Sequence, residues 1–192
     1  MKRAFDVIAS GIALALFSPI LAAVALAIAV EDGRPVLFRQ ERVGRRSEAF
    51  LIHKFRTMRT HHEGPNISAM GDKRVTRVGR YLRKYKLDEL PQLVDVLRGD
   101  MSIVGPRPEV AEYVDQWPEG SRSKILSVRP GITDPASIEF RNEAELLASV
   151  DDPTIYYVDV LLPRKAELYL DYVQNRTFIG DIKLILRTLH AL

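Results

Sequence analysis

The chain has 192 residues, of which 46% are hydrophobic and 28% are charged, and its net charge is +3. A chain of this length forms one domain with a substantial core, and its composition argues against extensive disorder. Because it contains no cysteine, disulfide bonds, thiolate nucleophiles and cysteine-based zinc sites are excluded.

The positive charge is concentrated in one block of the sequence. Residues 34–86 contain 15 Lys and Arg but only 4 Asp and Glu, whereas the rest of the chain carries 13 basic and 21 acidic residues. Such a block indicates a polyanionic partner, which is a nucleic acid, a set of anionic lipid headgroups or a phosphorylated substrate. A solvated basic face is the alternative that charge alone leaves open.

The N-terminal segment Val7–Val30 is a run of 24 residues without a charge. A straight helix of that length would be about 36 Å long, which is enough to cross the hydrocarbon core of a membrane. The run is longer than the apolar region of a typical signal peptide, and no polar cleavage region follows it. We therefore predict a membrane segment rather than a cleaved signal peptide.

Two features favour a re-entrant segment, which enters and leaves the membrane on the same side. Ser18-Pro19 lies in the middle of the run, where proline removes a backbone hydrogen bond, and each half is too short to cross alone. Lys2 and Arg3 precede the run and an arginine-rich stretch follows it, so the positive-inside rule places both flanks in the cytoplasm. A spanning helix stays open, because such helices also contain proline. The Ser18 hydroxyl is the expected partner for a carbonyl that Pro19 frees.

Beyond this segment, Val36–Arg42 and Ala49–Met58 are predicted to form a β-hairpin. Both stretches are rich in β-branched and aromatic residues, and a glycine-containing loop separates them. The surface loop that follows contains His61-His62-Glu63, which lacks a third metal ligand at useful spacing and is therefore interpreted as solvated. Helical spacing of apolar residues then predicts a helix over Val75–Lys86.

The last part of the chain is predicted to be helical. Asp88 occupies the N-cap position of a helix that has Pro91 in its first turn and ends at Leu97. Two amphipathic helices are predicted over Tyr156–Val173 and Phe178–Leu189, and the apolar face of the second is more typical of a core than of a membrane surface. The predicted fold class is therefore α+β and mainly helical, with a small β-hairpin.

An acidic pair, Asp88-Glu89, directly follows the basic block and is the strongest candidate for chemistry. Sequence motifs for a phosphate-binding loop, a dinucleotide fold and a nucleophile elbow are missing. Nearby basic side chains would hold an anionic substrate and keep a carboxylate ionised, and Mg²⁺ could bridge that carboxylate and a diphosphate. A helix cap with an acidic first turn accounts for the same two residues. Likewise, a rigid turn that holds an exposed Arg107 accounts for Gly105–Pro108, and Arg129–Gly131 is predicted to be a tight loop.

Five stretches occur in an order that matches a known family: Ser18-Pro19, Lys54–Met58, Leu87–Leu93, Gly99–Pro108 and Arg129–Thr133. In these stretches, which span most of the chain, the sequence resembles the monotopic phosphoglycosyl transferases. Members of this family are bacterial sugar transferases that begin glycoconjugate assembly, such as that of exopolysaccharide, at the cytoplasmic face of the inner membrane. Any one stretch is modest evidence, but their combination and order are specific.

The resemblance implies a two-step transfer. Asp88 would attack the sugar-bearing phosphate of a UDP-sugar, release UMP and form a covalent aspartyl phosphosugar, which polyprenol (undecaprenyl) phosphate would then attack. Glu89 would assist proton transfer or orient the metal and the acceptor, and Mg²⁺ would neutralise the diphosphate with Asp88 as a contact. Substrate-binding roles are implied for Lys54, Arg56, Arg83, Gln92, Arg107, Arg129 and Arg141.

The resemblance also implies an organisation. Residues 1–32 would form a re-entrant membrane anchor broken at Ser18 and Pro19, and residues 33–192 a catalytic region with amphipathic interface helices on the cytoplasmic face. Expected partners are UDP-sugar, polyprenol phosphate and membrane lipids, but not nucleic acid, and a homodimer is expected only by analogy with membrane enzymes of this kind. Residues 134–140 depart from the family's commonest pattern, which leaves the sugar open.

Two other functions compete with the transferase. A membrane-anchored nucleic-acid-binding protein would use the basic block, but aromatic residues are not interleaved with its arginines as base stacking requires. A scaffolding protein anchored by one spanning helix would use Asp88 only as a cap. Replacing Asp88 by Asn separates these functions from the transferase, because Asn caps a helix about as well as Asp.

Overall fold

The computed structural model describes residues 1–59 and 70–191, so His61-His62-Glu63 lies outside the described residues. The chain begins with α1, a helix of 31 residues over Lys2–Asp32 with Pro19 inside it. Among the described residues, this is the one helix long and apolar enough to cross a membrane. Helical structure is present at Ser18 and Pro19 themselves, so no non-helical residue separates the two halves of the segment. The Ser18 hydroxyl donates to the carbonyl of Ala15 at 2.8 Å, which is the carbonyl that Pro19 leaves without an amide donor.

The N-terminal end of α1 is bound to the rest of the molecule by polar contacts. Lys2 Nζ lies 2.6 Å from Asp181 Oδ2, and the Arg3 guanidinium donates to the carbonyls of Val96 and Leu97. The buried carboxylate of Asp6 accepts a hydrogen bond from Ser102 Oγ at 2.8 Å and one from the Ile103 amide. These contacts fix the first two turns of the helix.

The C-terminal end of α1 is held by the same body. The Glu31 carboxylate accepts hydrogen bonds from the amides of Arg77 and Val78 at 2.8 and 2.9 Å. The Arg56 side chain donates to the carbonyls of Asp32 and Gly33 at 2.8 and 2.9 Å. Between the two ends many apolar side chains are exposed, including those of Ile8, Ile12, Leu16 and Ile20. The helix is therefore attached at both ends and exposes apolar side chains along its middle.

The predicted hairpin is confirmed. Strand β1 (Leu37–Val43) pairs antiparallel with β2 (Ala49–Phe55), from Leu37 opposite Phe55 to Val43 opposite Ala49. A short 3₁₀ turn over Arg45–Ser47 lies in the connection. Phe55 then packs with Ile28 of α1 in a small core cluster, which joins the open end of the hairpin to the membrane helix.

A second sheet was not predicted from the sequence. Strand β3 (Ser102–Val104) pairs in parallel with β4 (Gly131–Thr133); β3 lies directly before the predicted turn at Gly105–Pro108, and β4 begins at the last residue of the predicted loop Arg129–Gly131. The backbones approach so closely that a Cβ on Gly131 would lie 2.1 Å from the amide nitrogen of Gly105. Glycine is therefore required at this contact, and the contact fixes the turn over residues 105–108.

The remaining chain is mainly helical. The helices are α2 (Arg77–Lys84), α3 (Gln92–Arg98), α4 (Ala111–Val114), α5 (Glu119–Ile125), α6 (Pro135–Glu139), α7 (Glu143–Ala148), α8 (Pro153–Tyr156), α9 (Leu162–Asn175) and α10 (Phe178–Ala191). A π-helical segment, Tyr157–Leu161, joins α8 to α9 and interrupts the long helix expected there. The main core forms around the fully buried Tyr169, together with Trp117 and Leu161.

The apolar face of α10 differs from its sequence-based interpretation. Phe178, Leu186 and Leu189 are 41%, 61% and 62% exposed, so a core role is wrong for these three side chains. Helix α10 instead buries a polar group, because the carboxylate of Asp181 accepts a hydrogen bond from the Tyr172 hydroxyl at 2.8 Å and is paired with Lys2. Phe178 packs against Phe5 of α1, and an exposed apolar face beside the start of α1 fits the expected interface helix.

Candidate active site

The acidic pair lies on a tight turn rather than at a helix start. Leu87–Glu89 forms one turn of 3₁₀ helix after Lys86, whose backbone is left-handed with φ 54°. Helix α3 begins only at Gln92, and Asp88 makes no capping hydrogen bond, so the predicted N-cap role of Asp88 is wrong. Since successive residues of such a turn point in different directions, the two carboxylates enter different surroundings.

Glu89 is the centre of a buried ionic cluster. Lys54 Nζ donates to Glu89 Oε1 at 2.9 Å, and both terminal nitrogens of Arg107 donate to the same carboxylate. The Glu89 side chain is only 12% exposed. Burial by itself would raise the pKa of Glu89, but Arg107 and Lys54 hold it well below its ordinary value. Glu89 is therefore an anion that compensates two cations.

Asp88 has the opposite character. Its Oδ1 atom is buried and has no hydrogen-bond partner among the described residues. Burial raises the pKa of Asp88, and the charge of Glu89 raises it further, while Lys54 and Arg83 act against this shift. A buried carboxylate oxygen without a partner is costly unless a water, an ion or a ligand satisfies it.

Arg83 faces Asp88 from helix α2. Its Nε donates to Thr57 Oγ1 at 2.9 Å, and burial lowers the pKa of Arg83 while Asp88 raises it. Helix α2 packs closely against the chain that follows β2, because a Cβ on Gly79 would lie 2.2 Å from the carbonyl oxygen of Thr57. The Thr76 hydroxyl caps the helix by accepting from the Gly79 amide at 2.9 Å. This packing directs Arg83 to the side of the acidic pair.

The expected Mg²⁺ site is tested by the side chains around Asp88. No group of three acidic or histidine side chains that could hold a metal ion occurs in the described part of the chain. The Asp88 carboxylate, which makes no hydrogen bond to a described residue through Oδ1, nevertheless fits a Mg²⁺ ion of the kind that uses one carboxylate, several waters and the phosphates of a substrate. Asp88 is thus the residue that would hold such an ion, and the ion would neutralise charge on the diphosphate.

Four of the expected substrate-binding residues lie apart from these contacts. Arg56 is 6% exposed and binds the C-terminal end of α1. Gln92 is 1% exposed, and its Nε2 has no partner among the described residues. Arg129 Nε donates to the carbonyl of Gly99 at 2.6 Å, and Arg141 is exposed between α6 and α7. The structure thus brings together Lys54, Arg83 and Arg107 around the acidic pair.

A buried network behind Arg107 was missed in the sequence. The Tyr157 hydroxyl, on the π-helical segment, donates to Glu109 Oε1 at 2.9 Å, and Glu109 Oε2 lies 3.5 Å from Arg42 Nη1. Lys165 lies over the Tyr157 ring and forms an ion pair with Glu143 at 2.6 Å. These residues are far apart in sequence and have no shared motif, so local patterns carried no signal for them.

The departure after Thr133 has a structural explanation. Asp134 is fully buried and caps α6, since its carboxylate accepts from the amide of Ser137 at 2.9 Å and also from the Ser137 hydroxyl. Burial raises the pKa of Asp134, whereas Ser137 and Arg107 lower it. An Asp-Pro start is a strong signal for a helix, and here it begins the short helix that leads to Arg141.

Comparison with known proteins gives consistent results. The sequence model of a family described as "Bacterial sugar transferase" matches residues 1–192. The chain is 40% identical to a "UDP-glucose:undecaprenyl-phosphate glucose-1-phosphate transferase" of Caulobacter vibrioides, over 100% of this chain and 69% of that protein. It is 38% identical to a "UDP-N-acetylgalactosamine-undecaprenyl-phosphate N-acetylgalactosaminephosphotransferase" of Aeromonas hydrophila, over 100% of this chain and 43% of that protein. An Escherichia coli protein, "UDP-glucose:undecaprenyl-phosphate glucose-1-phosphate transferase", is 35% identical over 98% of this chain and 39% of its own length.

Proposed function

Because the chain belongs to the bacterial sugar transferase family, we propose that it transfers a sugar phosphate from a UDP-sugar to undecaprenyl phosphate, with release of UMP. The observation that carries this proposal is the buried, unpartnered Oδ1 of Asp88 beside Arg83 and the Lys54–Glu89–Arg107 cluster. The relatives' names differ in the sugar, glucose in one and N-acetylgalactosamine in the other, so the sugar is left open.

We infer a covalent route through Asp88. The Asp88 carboxylate attacks the sugar-bearing phosphorus, and the bond between that phosphorus and the bridging oxygen breaks, so UMP leaves with the electron pair. An oxygen of undecaprenyl phosphate then attacks the same phosphorus, and the Asp88–phosphorus bond breaks to regenerate the carboxylate. Both steps need an oxygen of Asp88 that is free of protein partners, and Oδ1 meets that condition.

Glu89 acts as a positioning residue in this proposal. A carboxyl whose pKa is held well below its ordinary value is a poor proton donor or acceptor at neutral pH, which argues against the expected role in proton transfer. Glu89 contributes instead by binding two cations. It holds Lys54 and Arg107 next to the acidic pair, and both side chains carry donors suited to phosphate oxygens. Arg83 supplies a third cation from α2, near Asp88.

The membrane arrangement is a further part of the proposal. A helix that crossed a membrane would have its ends separated by about 30 Å of hydrocarbon. In this chain Lys2 and Arg3 at one end, and Glu31 and Asp32 at the other, contact one body, which supports a re-entrant anchor at the cytoplasmic face of the inner membrane. The exposed apolar side chains of α1 and α10 would then contact lipid. A homodimer stays a prediction.

The reaction is tested by separating its two halves. Purified protein incubated with a panel of UDP-sugars and no lipid acceptor should release UMP in an amount stoichiometric with enzyme and gain the mass of one sugar phosphate. Asp88→Asn should do neither while keeping the wild-type fold by circular dichroism. If Asp88→Asn released UMP at the wild-type rate, the covalent route would be excluded. If the wild-type protein released UMP but formed no lipid product after undecaprenyl phosphate was added, undecaprenyl phosphate would be excluded as the acceptor.

A further inference from the structure

A second basic cavity lies away from the acidic pair. Its volume is about 160 Å³, and it is formed between the turn of the hairpin and the loop from α3 to β3. The side chains and backbone groups that matter for its chemistry are those of Arg45, Arg46, Glu48, Gly99, Asp100 and Arg129. The cavity is lined by the first residues of two of the family-matching stretches, Gly99 and Arg129, and the proposed reaction uses neither residue.

Two of the three guanidiniums are oriented by hydrogen bonds that leave their outer nitrogens available. Arg129 Nε donates to the Gly99 carbonyl at 2.6 Å, and Arg45 Nε donates to the Ser127 carbonyl at 3.1 Å. Within the described residues, the terminal nitrogens of these two side chains and the guanidinium of Arg46 donate no further hydrogen bond. An arginine fixed through Nε presents its terminal N–H groups as a fork, which is the geometry that phosphate oxygens accept.

These arginines are also not neutralised by the nearby acids. Glu48 and Asp100 line the same cavity, yet in the described part of the chain neither forms an ion pair with Arg45, Arg46 or Arg129. A cavity with three unpaired cations and two carboxylates keeps a net positive charge. An anion that entered it would replace water around the guanidiniums without breaking an existing salt bridge.

The backbone at this turn is held in a costly conformation. Arg46 and Ser47 both have left-handed backbones, with φ of 59° and 65°. The amide of Arg46 is fixed by a hydrogen bond to the Leu126 carbonyl at 2.7 Å, and the Gly44 amide donates to the Glu48 carbonyl at 2.8 Å. Consecutive left-handed residues other than glycine are found where the surrounding structure imposes them, and such positions cluster at ligand sites.

The cavity is too far from the acidic pair to share its phosphate. Ala49 lines the cavity and Lys54 binds Glu89, and five residues of extended strand between them span about 17 Å. We propose that Arg45, Arg46 and Arg129 form a second phosphate-binding site, separate from Asp88. The ligand is a phosphate group, carried either by a lipid headgroup or by a soluble phosphate. Arg3, at the start of the membrane helix, lies against Gly99 and brings the cavity close to that helix.

The site is tested with full-length protein in detergent and with inorganic phosphate as the probe, followed by ³¹P NMR. The double variant Arg45→Gln/Arg46→Gln should raise the Kd for this phosphate at least tenfold, because charge-assisted hydrogen bonds are lost. Arg34→Gln/Arg39→Gln removes the same charge from exposed side chains without a contact in the described residues and should leave the Kd unchanged. Thermal unfolding checks that both variants fold.

A second arm identifies the source of the phosphate group. Native mass spectrometry of protein from phosphatidylglycerol nanodiscs should show fewer bound lipids in Arg45→Gln/Arg46→Gln than in Arg34→Gln/Arg39→Gln if the ligand is a headgroup. Equal lipid retention with the tenfold change in phosphate Kd assigns the site to soluble phosphate. The proposal is overturned if the Kd is the same in all proteins, or if Arg107→Gln rather than Arg45→Gln/Arg46→Gln abolishes the binding. The sugar transfer is a separate property and its own test is unaffected by any of these results.

Discussion

Two adjacent carboxylates have opposite energetic roles. Glu89 compensates Lys54 and Arg107, and the pKa of Glu89 is held well below its ordinary value. Asp88 has a buried oxygen without a partner, and burial raises its pKa. The sequence could identify the pair, but not this division. Consecutive residues of an α-helix point about 100° apart, and only the 3₁₀ turn and the remote Arg107 determine which carboxylate faces which charge.

Glu89→Gln is expected to destabilise the protein by about 2 kcal/mol, because it leaves two partly buried cations without their anion. UMP release should fall with it, since Lys54 and Arg107 lose the group that holds them. The depressed pKa of Glu89 means that its contribution to stability is present above the unfolded-state pKa and is lost as the pH falls through the folded-state value. Thermal unfolding from neutral to acidic pH measures this loss.

The control for this substitution is Glu41→Gln on the exposed side of β1. Glu41 forms no hydrogen bond or ion pair with a described residue, so its neutralisation should change stability by less than about 0.5 kcal/mol. If Glu89→Gln were as mild as Glu41→Gln, the ionic cluster would not be the centre of this site.

Asp88→Asn should have the opposite effect on stability. Because the folded-state pKa of Asp88 is raised above its ordinary 3.8, the folded protein binds more protons between the two pKa values, and stability falls as the pH rises through this window. The substitution removes that cost, so at neutral pH the variant should be more stable by an amount on the order of 1 kcal/mol.

In the wild type, the rate of UMP release should fall as the pH is lowered through the raised pKa of Asp88, because the nucleophile becomes protonated. A less stable Asp88→Asn, or UMP release independent of acidic pH, would contradict this account.

At the scale of elements, local patterns predicted what local interactions determine. The hairpin, α2 and the C-terminal helices were predicted because alternation, capping and helical spacing are visible within a few residues. The parallel pair β3–β4 was missed, because each strand has only three residues and exists through a partner about 30 residues away. The π-helical segment Tyr157–Leu161 was missed for the same reason, since its Tyr157 is bound to Glu109.

This π-helical segment gives a prediction of its own. Burial and Glu109 hold the pKa of Tyr157 well above its ordinary value, so its hydroxyl stays protonated and donates to that carboxylate. Tyr157→Phe should cost about 1.5–3 kcal/mol, which is typical for a hydrogen bond to a charged group, whereas the ring contacts are kept. Tyr156→Phe is the matched control, because the Tyr156 hydroxyl makes no hydrogen bond to a described residue. Equal unfolding temperatures of the two variants would show that the Glu109 contact does not stabilise the fold.

At the scale of the whole molecule, the basic block has several separate uses. Within residues 34–86, Lys54 and Arg83 surround the acidic pair, Arg56 binds the end of α1, and Arg45 and Arg46 line the second cavity. These five basic side chains therefore lie in three different surroundings within the described part of the chain. The charge count predicts a polyanionic partner, but the positions of the charges depend on folding that a count does not contain.

The attachment of both ends of α1 to one body gives the last prediction. The chain has no cysteine, so single cysteines introduced at Ala4 and Arg34, both exposed, can be labelled without background. A membrane-impermeant maleimide should label both from the cytoplasmic side only, because the contacts of Lys2 with Asp181 and of Glu31 with α2 require the two ends to be on the same side. Leu16→Cys, in the exposed apolar middle, should resist labelling from either side if that part lies in lipid. Labelling of Ala4→Cys and Arg34→Cys from opposite sides would mean that α1 crosses the membrane and that its two sets of end contacts do not coexist.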